Sequence, residues 1–230
     1  MKSSDNILYF VHVPKSAGTS FRGALRHHFA EDRILDSWAI EDIFATPPTK
    51  PMNSDLILSH AGRTFSYYLK RGVDFIVLLR PTTDILISQY LQILKDKAHI
   101  WHEEATRNTW SHFFSEFGFL EMFENIYTRH IGAQGPSDYD LLYESPAVKT
   151  DVDRKRRIEQ AFQTISLDEL RYVGRTTDLT SVYEKIYMDR RMIARPIQHL
   201  NASNITPPAL MQEYISELSN YSALDRKRPV

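Results

Sequence analysis

Short apolar runs alternate along the chain with longer stretches whose apolar residues recur every three or four positions. The runs predict strands at 7–13, 55–59, 74–79 and 170–173. The helical periodicity predicts helices near 18–29, 64–70, 83–97, 111–117, 119–131, 153–165, 178–189 and 207–219, the last opening on Thr206-Pro207-Pro208 with proline in its first turn. Unbroken apolar runs such as Phe75-Ile76-Val77-Leu78-Leu79 suit strands buried on both faces. Strands alternating with helices predict an α/β fold: a three-layer parallel sheet flanked by helices, as one domain over residues 1–230. The segment Thr46-Pro47-Pro48-Thr49-Lys50-Pro51 reads as a stiff surface connection, and residues 132–150 as a long loop. Ligands of such sheets bind beyond the carboxyl ends of the strands, so the turns that follow the runs are the places to search for chemistry.

The first of these turns is the most informative. The run Ile7-Leu8-Tyr9-Phe10-Val11-His12-Val13 passes through Pro14-Lys15-Ser16-Ala17-Gly18-Thr19-Ser20 into a helical pattern beginning at Phe21. A strand that feeds a helix through such a turn aims backbone N–H groups and the helix N-terminus at one point, which favours an anion. Lys15 adds a mobile cation there, and Ser16, Thr19 and Ser20 add hydroxyl donors. The Walker order of nucleotide triphosphatases is absent, because Lys15 precedes Gly18 by three residues instead of following a glycine directly.

The order Pro14-Lys15-Ser16-Ala17-Gly18-Thr19-Ser20-Phe21 resembles the 5′-phosphosulfate loop of sulfotransferases that use PAPS (3′-phosphoadenosine 5′-phosphosulfate). It is most similar to the carbohydrate-type branch, sulfotransferase family 2. The resemblance implies a P-loop-like sulfotransferase fold in which Lys15, Ser16, Ala17, Gly18, Thr19 and Ser20 hold the cofactor. It also places a 3′-phosphate site on Arg80 at the end of the run 74–79, with Ser88 eight residues on and Tyr90 after it. A guanidinium fork and a hydroxyl one helical turn inside the helix suit a phosphate dianion. Two departures stand out: Pro81 follows Arg80 directly where the family has Asp-Pro, and Ile85 occupies the place of a second arginine. Fainter similarities lie in 123–132, in Tyr172–Leu179, and in the tail at Asn201–Pro208 and Asn220–Asp225.

The activity implied is transfer of a sulfuryl group from PAPS to a hydroxyl of a carbohydrate or small-molecule acceptor, releasing adenosine 3′,5′-bisphosphate (PAP). Lys15 would assist the leaving group, and no metal is expected. The acceptor hydroxyl requires a general base, for which histidine has a suitable pKa. Of nine histidines, His60 is chosen because it follows the run Leu56-Ile57-Leu58-Ser59 and so lies at a carboxyl end. A histidine that merely caps that strand is the equal alternative. His12, inside the first strand, is the runner-up and is expected to be a packed core residue; His27, His28, His99, His102, His112, His130 and His199 have no comparable placement. Trp101, set among polar neighbours, is a candidate for the acceptor pocket. The clusters Arg154-Lys155-Arg156-Arg157 and Arg190-Arg191 read as solvated helix faces.

Composition narrows the partners. A net charge of −1 gives no global field for nucleic acid or an anionic membrane, so affinity for anions must be local. No cysteine is present, which excludes disulfides and thiolate metal sites and suits a reducing compartment. No apolar stretch approaches the roughly 20 residues that span a bilayer. With the first strand beginning at residue 7, the expectation is a cytoplasmic bacterial member of the family without a signal peptide or transmembrane segment. Two rivals stay open: a nucleotide-dependent small-molecule kinase with a variant phosphate loop, and a non-catalytic PAP-binding regulatory homologue. The acceptor and the oligomeric state have no signature in the sequence.

Overall fold

The run at residues 7–11 forms the middle strand of a five-stranded, all-parallel sheet in a computed structural model that describes residues 5–37, 40–116, 119, 123, 125–132, 151–165, 170–192 and 197. The described elements, in chain order, are β1 (Ile7–Val11), α1 (Gly18–Arg26), β2 (Ile34–Ser37), α2 (Ile40–Ala45), α3 (Thr49–Asn53), β3 (Leu56–Ser59), a 3-10 helix (Arg63–Tyr68), β4 (Val73–Leu79), α4 (Thr82–Lys95), α5 (His102–Arg107), α6 (Trp110–Glu116), α7 (Ile126–Gly132), α8 (Asp151–Thr164), β5 (Tyr172–Arg175) and α9 (Leu179–Arg190). The strand order is β2-β3-β1-β4-β5. The chain leaves β1 toward one edge and leaves β4 toward the other. The crevice where those connections diverge is where an open parallel sheet receives its ligands.

Side-chain alternation along β1 divides the interior into two layers. Ile7, Tyr9 and Val11 face a core built with α4, α6 and α7 and with the aromatics Phe75, Tyr90, Phe113, Phe114 and Phe119. Leu8 and Phe10 face the other way, onto Phe21 and Leu25 of α1 and onto Val182, Tyr183 and Ile186 of α9. Helices on both faces explain why β1 and β3 are buried along their whole length. The sheet is the expected α/β architecture.

Several local expectations are corrected. β2 has no strand signature of its own: Ile34-Leu35-Asp36-Ser37 has only two apolar residues, and its pairing with β3 supplies what its composition lacks. The proline-rich connection contains a short helix, Thr49–Asn53, after Pro48. Residues 64–70 wind as a 3-10 helix over Arg63–Tyr68, and the helix expected at 119–131 is confined, among the described residues, to Ile126–Gly132. Gly132 is required by packing, since a Cβ there would overlap the Ala161 carbonyl oxygen on α8. The loop beyond Gly132 to residue 150, the helix at 207–219, His199 and both tail segments lie outside the described residues.

At the amino end of the sheet, α9 is tied to β4 by a buried ion pair. Arg190 Nη2 donates to Asp74 Oδ2 at 2.6 Å, with side chains only 8% and 6% exposed, and Asn6 Nδ2 donates to Asp74 Oδ1 at 2.9 Å. Breaking such a pair strands a charge in the interior. Arg190→Met is therefore expected to lower unfolding free energy by about 3–5 kcal/mol. Urea denaturation checks this, and a loss within the range of an exposed pair, under about 1 kcal/mol, would refute it.

Candidate functional site

The turn after β1 is shaped by its own hydrogen bonds. His12 N–H continues the sheet by donating to the Ser59 carbonyl at 2.9 Å, and Val13 N–H then turns back onto Val11 O at 3.1 Å. Ser16 donates both its amide (3.3 Å) and its hydroxyl (2.6 Å) to the Val13 carbonyl. Two residues that are not glycine, Lys15 (φ 65°) and Ala17 (φ 58°), adopt the left-handed conformation, which is uncommon for L-residues. Ala17 is the N-cap of α1 and makes no side-chain cap hydrogen bond. Gly18 and Ser20 are buried and Thr19 is exposed. The motif assigns the Ser16 amide and hydroxyl to an anion; here both are committed to Val13.

Arg80 joins this turn directly. Its Nη1 donates to the Lys15 carbonyl at 3.0 Å, across the divergence between β1 and β4. Its backbone is clamped by one hydroxyl: Arg80 N–H donates to Tyr127 Oη at 2.5 Å, and that hydroxyl donates to Arg80 O at 3.1 Å. Asp84, one helical turn on, lies 4.0 Å from the Arg80 guanidinium. The Lys15 ammonium donates to Gln92 Oε1 on α4. Burial, and then the neighbouring Arg80, hold the Lys15 pKa below its ordinary value. Asp84, Ser88 and Gln92 follow at i, i+4 and i+8 along one face of α4. Contacts from Arg80 and Lys15 at either end show that this face, and Ser88 between them, looks toward the turn.

Two residues that extended the second motif lie elsewhere. Tyr90 is buried on the far side of α4, its hydroxyl donating to Ala105 O at 3.3 Å and its ring against Phe113 and Phe114. Ile85, in the place of a second arginine, is a core residue. Trp101 packs on Phe113 and Phe119 at 6.1 and 6.0 Å, so it belongs largely to the aromatic core.

His60 sits beyond β3, as its position in the sequence implies, but it is only 9% exposed. Its ring stacks on His12 with centroids 4.0 Å apart. Desolvation, and then the Arg22 guanidinium, push its pKa down to about 4, against a smaller opposing effect of a hydrogen bond with the His12 backbone. His12 is lowered well below the ordinary value by burial and then by His60. His130 on α7 is held at about 3, chiefly by burial and then by Arg129, while its Nδ1 bonds the Ile126 carbonyl at 2.8 Å. All three imidazoles are therefore neutral at pH 7. Arg22 is paired with Asp36, which also receives Arg26.

The carboxyl end of the sheet thus gathers Lys15, Arg80, Arg22 and three imidazoles. Sequence reasoning missed His130, Arg22, Tyr127 and Gln92. The available signal was positional: Gln92 lies one turn beyond Ser88, and Tyr127 and His130 belong to a segment whose similarity carries no assigned role. Among the described residues no group of histidines and acids is arranged to hold a metal ion, and no helix is long and apolar enough to cross a membrane. No family model, curated protein or solved structure matches the chain.

Proposed function

We propose that this chain is a PAPS-dependent sulfotransferase of the P-loop-like sulfotransferase fold, acting on a hydroxyl of a carbohydrate or small molecule. The observation that carries this reading is the Arg80–Lys15 hydrogen bond, which makes the two separated motifs one cationic site at the switch point of the sheet. The residues present fit a bisphosphorylated nucleotide. The N-terminal turn of α1 and the Lys15 ammonium suit its 5′ end, and Arg80 with Ser88 suits its 3′-phosphate.

When bound, PAPS supplies an activated sulfuryl group whose transfer leaves PAP. Lys15 would stabilise the negative charge that develops on the departing phosphate oxygen. Its carbonyl accepts a hydrogen bond from Arg80, which holds the backbone that carries the ammonium. His60 is neutral at pH 7, the protonation state that accepts a proton from an acceptor hydroxyl, but a pKa of about 4 makes it a weak base in the free protein. Its burial means that the hydroxyl must reach the strand ends beside His12, where desolvation strengthens every interaction.

Thermal denaturation tests the reading. PAP at 100 times its Kd should stabilise the wild type by about 2.7 kcal/mol, and Lys15→Ala and Arg80→Ala should each weaken that shift. Stabilisation by ATP with Mg²⁺ but not by PAP would favour a kinase. PAP binding without turnover on any hydroxyl acceptor would leave a regulatory binder.

A further inference from the structure

Gly18 has no positive φ to explain it; among the described glycines that conformation belongs to Gly62. What Gly18 meets is His12. A Cβ on residue 18 would fall within the His12 imidazole, overlapping Nε2, Cδ2 and Cε1, so the ring occupies the space of a side chain there. The imidazole has little freedom to retreat. It stacks on Phe10 at 5.2 Å and on His60 at 4.0 Å, and it is 4% exposed. We propose that His12 is the positioning residue of the phosphate turn, a wedge between the end of β1 and the start of α1 that sets where the α1 amides and His60 stand.

The geometry accounts for features that otherwise have no common cause. The ring separates the strand end from Gly18, so the chain from Val13 to Ala17 must arch over it. Lys15 and Ala17 take the left-handed conformation along that arch. The wedge acts through its shape and not its charge. A charged imidazole would add to Lys15 and Arg22 in an already cationic basin, and burial keeps it neutral. Stacking on His60 then passes the wedge's position to the base proposed above. Residues 12 and 18 are thus a matched pair, one large and one without a side chain.

The binding half of the test rests on the sulfotransferase reading, and the stability half does not. PAP affinity and urea midpoints are measured for wild type, His12→Ala, Gly18→Ala, the double variant and His12→Gln. Gly18→Ala is expected to weaken PAP about 100-fold, as a misplaced binding turn does. Made on top of His12→Ala, the same substitution should cost nothing further, because the obstacle is gone. His12→Ala alone should lose about ten-fold through a slack turn, and His12→Gln, which carries a planar amide to the Nε2 position, should recover most of it.

Equal losses from Gly18→Ala with and without His12→Ala, or PAP binding by His12→Ala at wild-type strength, would overturn the proposal. Should Gly18→Ala not fold, the comparison of His12→Ala with His12→Gln decides: recovery by glutamine supports the wedge, and no recovery removes it. Should the wild type bind no PAP, the sulfotransferase reading falls, and the urea midpoints judge the wedge alone. Non-additive destabilisation keeps it, and additive destabilisation removes it.

Discussion

Lys15→Ala is expected to slow sulfuryl transfer by about 10²–10³-fold while weakening PAP much less. The ammonium is hydrogen-bonded to Gln92, while the Lys15 carbonyl is held by Arg80, whose backbone is clamped by Tyr127. A cation beside the leaving oxygen contributes chiefly where charge develops, so its loss should fall on turnover more than on ground-state binding. Lys15→Arg should not restore the rate, because a planar fork does not place its charge where a compact ammonium does. Single-turnover kinetics with labelled PAPS, alongside PAP affinity, separates these effects. Equal losses in affinity and rate would show that Lys15 merely binds.

The parts of this site that were legible in the sequence are those specified by local grammar. A strand, a turn with lysine and glycine, and a helix occupy consecutive residues, so their geometry is set within 7–21. The arginine closing β4 is placed by an apolar run ending at Leu79. What was not legible depends on partners distant along the chain. β2 is a strand because β3 lies beside it, and Tyr90 fits a phosphate motif by spacing yet is turned into the core by Phe113 and Phe114. His12 is packed as expected, although β1 ends one residue before it, at Val11. That its ring packs against Gly18, within the same motif, follows only from the way the turn folds back. His60 stands at a strand end, as its sequence position implies, but its burial and its low pKa arise from α1, β1 and α7 converging on it.

That convergence should make stability fall with acid from about pH 6.5, before carboxylates begin to titrate. His60 and His130 are neutral in the fold down to about 4 and about 3, and His12 is likewise lowered, while in the unfolded chain each binds a proton near the ordinary 6.5. Between those limits the unfolded state holds more protons, so stability is full above pH 6.5 and falls as the pH drops. Each imidazole contributes a slope of about 1.4 kcal/mol per pH unit, and the three together about 4. Together they remove about 6 kcal/mol by pH 5, a large share of a typical unfolding free energy of about 5–15 kcal/mol. Asp55, held below its usual value mainly by Arg33, gives up its contribution only at lower pH, so this carboxylate does not account for the window. Urea denaturation from pH 7.5 to 5 measures the slope, and His130→Met should remove about a third of it. Stability that stays flat from pH 7 to 5 would sink the prediction.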